Sequence, residues 1–115
     1  MLNGFWTVSF KMPDSEGAGV LTVVDGNATG GDSSFTYVGK LTASPDGELS
    51  GTLEINQFNQ ALQPFIPGLA NYNLHVTGKI SGDRMSLTGR VVGQTEITFS
   101  ITAQRVVEAQ VKSRP

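Results

Sequence analysis

Apolar and polar positions alternate along most of this chain. Trp6, Val8, Phe10 and Met12 fall on one face of an extended segment, and Thr7, Ser9 and Lys11 on the other. Pro13 to Gly17 reads as a turn, and Val20 to Val24 as a second strand, apolar on both faces. Asp25-Gly26-Asn27 has the chemistry of a hairpin turn, because Gly and Asn accept positive φ. Phe35, Tyr37, Gly39 and Leu41 make a third strand, and Ser44-Pro45-Asp46-Gly47 the turn after it. Leu49, Gly51, Leu53 and Ile55 then alternate with Glu48, Ser50, Thr52 and Glu54. Three more alternating runs follow residue 70: Tyr72 to Ile80, Met85 to Val91 and Ile97 to Ala103, divided by Ser81-Gly82-Asp83 and Gly93-Gln94. Short strands at meander spacing, with no helical period between them, predict an antiparallel sheet.

One arrangement recurs: YVGKL, LSGTL, VTGKI and LTGRV each put a glycine between two apolar residues on the inward face (Gly39, Gly51, Gly78, Gly89). Glycine inside a strand costs stability, so four matching positions imply a need. A sharply coiled sheet has that need where strands bend, and missing side chains also leave interior room. The pattern predicts an all-β, small antiparallel β-barrel of seven or eight strands, in one domain over residues 1–115. The competing expectation is a glycine-rich sandwich.

The stretch from Gln57 to Tyr72 interrupts the alternation. Leu62, Phe65, Ile66 and Leu69 are apolar, while Pro64 and Pro67 forbid a continuous strand or a long helix. A helical turn or an ordered loop is expected, acting as a plug for one barrel end, as a lid or as a contact surface.

Composition narrows the chemistry. The net charge of −2, with basic residues spread singly, gives no field or aromatic-basic groove for nucleic acid. Cysteine is absent and His75 is the one histidine, placed outward by alternation. No zinc or haem site, no other cofactor and no catalytic triad is therefore expected. The inward positions hold no pair of carboxylates for acid–base work. The Gly30-Gly31-Asp32 loop runs into a strand and not into a helix, so it is a turn, with Asp32 or Ser33 bonding the local backbone, and not a phosphate cradle. The first residues lack a basic start and an apolar leader, and no run is long enough to span a bilayer, so a cytoplasmic protein without membrane contact is expected.

GFWTVSF, then GAGVLTVVDGNATGGDSSFTYVGKL, then LSGTLEI resembles the GrlR-like family of negative regulators of bacterial type III secretion, over residues 4–56. The resemblance implies a compact lipocalin-like barrel that forms a homodimer. It also implies a non-enzymatic protein that represses by sequestering a transcriptional activator without touching DNA. In that family an acidic loop after the Tyr-x-Gly strand is important for partner binding; here that place is held by Ser44, Pro45, Asp46, Gly47 and Glu48. Gly4-Phe5-Trp6 also matches the short G-x-W signature of lipocalins, which implies that Trp6 closes the barrel floor.

Two functions are thus expected of the chain. In the first, the Ser44–Glu48 loop or the apolar lid contacts a protein partner. In the second, the barrel carries a small apolar ligand in a cavity lined by Trp6, Phe10, Phe35, Tyr37, Leu53, Leu74, Phe99 and Ile101.

Overall fold

The computed structural model describes residues 2–107. These residues form one closed meander of eight antiparallel strands, each hydrogen-bonded to its sequence neighbours, with the last pairing to the first. The strands are β1 (Gly4–Met12), β2 (Ser15–Val24), β3 (Asn27–Gly31), β4 (Phe35–Ala43), β5 (Glu48–Gln57), β6 (Asn71–Ser81), β7 (Arg84–Val91) and β8 (Gln94–Val107). No helix occurs among the described residues. Closure removes the sheet edges and leaves one continuous interior for the inward half of every strand.

Two expectations need correction. The segment at 13–17 is mostly strand: β2 begins at Ser15, and Pro13 and Asp14 alone make the connection. Asn27 to Gly31 is a strand in its own right, pairing β2 through Val23↔Ala28 and β4 through Ala28↔Gly39. Its one inward apolar side chain is Ala28, too weak a signal to read as alternation. The Asp25-Gly26 hairpin is as expected, with positive φ at both residues (51° and 83°).

Interior packing explains the repeated glycines. Gly39 lies opposite Leu53, Gly51 opposite Leu41 and Val76, Gly78 opposite Leu49 and Leu87, and Gly89 opposite Val76 and Phe99. Each glycine thus faces large inward side chains, which lets a narrow barrel fill without overpacking. At Gly78 the need is absolute, because a Cβ there would lie 2.0 Å from the Ser86 carbonyl oxygen. At Gly89 it would meet only the Cδ atoms of Leu74 and Ile101, at 3.1–3.2 Å.

The meander puts the connections at 13–14, 32–34, 58–70 and 92–93 at one end, the rim. Those at 25–26, 44–47 and 82–83 lie at the other end, the floor, with the N-terminal residues. Trp6 is fully buried at the floor and its Nε1 donates to the Leu2 carbonyl oxygen at 2.9 Å. The Arg105 guanidinium stacks 4.6 Å from the centroid of the Trp6 ring. It also donates to Asn3 O at 2.7 Å, Gly82 O at 3.1 Å and Asp83 Oδ1 at 2.8 Å. One side chain therefore ties the N-terminal segment, the β6–β7 turn and β8 to the buried indole.

Candidate functional site

Inward residues of β1, β2 and β4 to β8, together with the rim, line an apolar cavity of about 60 Å³. Phe10, Phe35, Tyr37, Leu53, Leu74, Phe99 and Ile101 line it as the alternation places them. Trp6 is instead part of the floor, sealed beneath Leu2 and Arg105. Val8, Leu21, Leu41, Ile55, Val76, Met85, Leu87 and Ala103 complete the apolar wall, and Phe65 closes it from the rim. The polar groups in the wall are Asp32, Tyr37 and Tyr72.

Asp32 arrives from the β3–β4 connection. Its Oδ1 accepts from the backbone N–H groups of Ser34 and Phe35, each at 2.8 Å, so the side chain shapes the turn as its residue type predicts. The other oxygen was not legible in the sequence: Oδ2 accepts from the Tyr37 hydroxyl inside the barrel mouth. The phenol fits because Gly19 of β2 leaves room for it: a Cβ there would stand 2.6 Å from the Tyr37 hydroxyl oxygen. Burial, the hydrogen bond to Asp32 and the Asp32 charge all hold the Tyr37 phenol far above its ordinary range. Burial first, and then the Asp32 charge, push Tyr72 up to about 12. Both phenols therefore stay protonated at physiological pH.

Residues 58–70 form an irregular strap over the rim with one isolated bridge, Ile66↔Leu69, and no helical turn. Pro64 and Pro67 account for this, since neither ladder nor helix can pass through both. Phe65 packs edge-on against Phe10, with centroids 4.9 Å apart, and against Phe99 at 5.7 Å. Ile66 is buried and Leu69 half-buried, whereas Leu62 points to solvent with Phe58. The strap is fastened by Gln57, whose Nε2 donates to Ser34 Oγ, Asn59 O and Leu62 O at 3.3, 3.1 and 2.8 Å. The Phe58 N–H also donates to Ser34 O at 2.8 Å. Gln57 is a second residue the sequence did not disclose.

The Ser44–Glu48 segment lies at the floor end, away from cavity and strap. It is a tight turn in which Gly47 N donates to Ser44 O, and Ile80 N to Gly47 O, both at 2.9 Å. The Ser44 hydroxyl donates to the Asp46 carboxylate, which this bond holds below the usual range. Glu48 pairs with Lys79 at 3.3 Å on an exposed surface, and Asp46 projects into solvent. His75 is exposed, with Thr52 Oγ1 3.5 Å from its Nδ1.

The outer surface is divided. Outward positions of β5, β6 and β7 carry Glu48, Glu54, His75, Lys79, Arg84 and Arg90, all exposed. Across β8, β1, β2, β3 and β4 the register instead runs Val107, Phe5, Thr22, Thr29, Val38. Val20 and Val24 flank this row two residues to either side of Thr22, and Phe5, Val20, Val24, Val38 and Val107 are each 37–56% exposed. Outward charge on these five strands lies at Lys11, Glu16, Lys40 and Glu96, and Glu54 of β5 stands opposite Val38 where the row ends. No family model and no curated protein matches the chain.

Proposed function

We propose that the protein is a non-enzymatic regulator that works by binding and holding another protein, in the manner of the type III secretion regulators it resembles, and that it pairs as a homodimer. The observation that carries this reading is the uncharged row Val107–Phe5–Thr22–Thr29–Val38 with Val20 and Val24 beside it. Contiguous exposed apolar surface on a small protein marks a contact site more often than chance exposure does. Asp25 and Asp46 lie at the floor end, where Val24 and Phe5 reach solvent. The partner that fits is thus an apolar surface with basic groups at one margin, such as a transcriptional activator would offer.

Photo-cross-linking inside the native host tests this, with the reactive side chain placed at Val38 and, as control, at Ser86 on the charged half. The reading expects protein-sized adducts from Val38 and none from Ser86. Equal yields from both positions would refute the surface.

A second reading, a carrier of a small apolar molecule, is favoured by the apolar cavity beneath Phe65. Sites for drug-sized ligands hold about 300–1,000 Å³, and this cavity holds about 60 Å³. Loading therefore requires Phe65 to swing out of the mouth, or a ligand much smaller than a lipid.

A further inference from the structure

The cavity under Phe65 is apolar on every side but one, and that side carries a carboxylate with unused bonding capacity. All three partners of Asp32 are donors: two backbone N–H groups on Oδ1 and the Tyr37 hydroxyl on Oδ2. A carboxylate oxygen accepts two hydrogen bonds, so one acceptor position remains on Oδ2. Tyr72 lines the same cavity and is near enough to Asp32 to feel its charge. The Tyr37 hydroxyl has given its one hydrogen to Asp32 and can only accept, and Tyr72 brings one neutral hydroxyl and no positive charge. The polar end of the cavity is therefore an acceptor site, with one negative group and no cation among the lining residues.

Resting on the carrier reading, we propose that this cavity takes a short-chain apolar molecule whose head group donates hydrogen bonds, an alkyl alcohol or an alkylammonium, and that it rejects alkyl carboxylates. The alkyl chain lies along the Leu53, Leu74 and Ile101 wall and the head reaches Asp32 Oδ2. Phe65 is the movable part of the enclosure, because it belongs to the irregular strap and not to a strand. A carboxylate head brought to Asp32 would set two like charges against each other in a site that water screens poorly, which is a strong bias against it. An alcohol would bind through the hydrogen bond alone, and an ammonium through that bond plus charge.

The test is a titration of the full chain with 1-hexanol, hexylamine and hexanoate at neutral pH, followed through the methyl resonances of Leu53, Leu74 and Ile101. The same titration is run on Phe65→Ala, which opens the mouth, and on Asp32→Asn, whose amide oxygen can still accept from Ser34 and Phe35. The expected result is binding of hexylamine and hexanol at least about tenfold tighter than hexanoate, with Phe65→Ala tightening all three. Asp32→Asn should remove hexylamine's advantage over hexanol. Hexanoate binding as tightly as hexylamine to the native chain would overturn the head-group assignment while leaving the carrier reading in place. So would an unchanged hexylamine advantage in Asp32→Asn. No methyl shift with any compound, in either the native chain or Phe65→Ala, would overturn both.

Discussion

At the scale of single residues, the groups that matter most are charged or polar ones in inward places. Arg105 is such a group, and β8 held the clue: Ile101, Ala103 and Arg105 share one parity, so the run of inward residues ends on a guanidinium. A cation there must have partners. It has an indole face, two carbonyls and the Asp83 carboxylate, while its own side chain is only 8% exposed. Arg105→Ala should therefore destabilise the barrel by about 2–3 kcal/mol in denaturant unfolding, through lost packing and orphaned acceptors. Arg105→Lys should recover only part, since an ammonium cannot make the fork of bonds and the stacking together. Tyr72 gives a second check. Its proton is held more tightly in the fold, at about 12 against an ordinary value of 10.0, so its contribution to stability is complete below pH 10. Between pH 10 and about 12 the unfolded chain loses that proton first, and stability falls as pH rises. Ultraviolet titration should show no phenolate step near pH 10 from either tyrosine while the protein is folded, and a tyrosine step at the ordinary pH would contradict the buried Asp32 cluster.

At the scale of elements, the alternation carried the barrel well. Six of the eight strands are recognisable from inward apolar residues at period two, and the four inward glycines pointed to a coiled, closed sheet. The parts that were not legible have physical reasons. β3 is five residues of Asn, Ala, Thr and Gly whose strand character comes from its two neighbours and not from its own side chains. The first half of β2 hid behind Ser15, Glu16 and Gly17, which read as turn chemistry but pair with β1 across Met12, Lys11 and Phe10. Asp32 sits in the turn that its residue type favours, but no local pattern says that the turn folds over the rim and sends Oδ2 inside. The glycines also separate by mechanism. Gly78→Ala drives a Cβ into a neighbouring backbone carbonyl, and Gly89→Ala only into movable methyl groups. Thermal unfolding should show Gly78→Ala costing about 2–3 kcal/mol and Gly89→Ala less than about 1 kcal/mol. Equal losses would mean that the strands do not approach as closely at Gly78 as the register requires.

At the scale of the whole molecule, the barrel is an asymmetric object with charge spread over β5 to β7 and an apolar row across β8 and β1 to β4, an aromatic plug at one end and an indole floor at the other. The loop expected from family resemblance to meet a partner is a tight turn with exposed acids at the floor end, while the apolar row crosses β8 and β1 to β4. These two features make separable predictions. Asp46→Lys with Glu48→Lys should slow association and reverse its salt dependence with little change in dissociation, because charges at the margin of a contact steer encounters. Val38→Lys should instead weaken binding by about 2 kcal/mol or more, since it places an unpaired charge within the contact. Neither change should shift thermal stability appreciably, as all three side chains point into solvent. The most direct measurement is native mass spectrometry of the full chain drawn gently from its own host, alongside Val38→Lys. The native chain should carry a protein-sized addition that the substitution removes; a bare chain in both samples, or an addition indifferent to Val38, would overturn the contact surface.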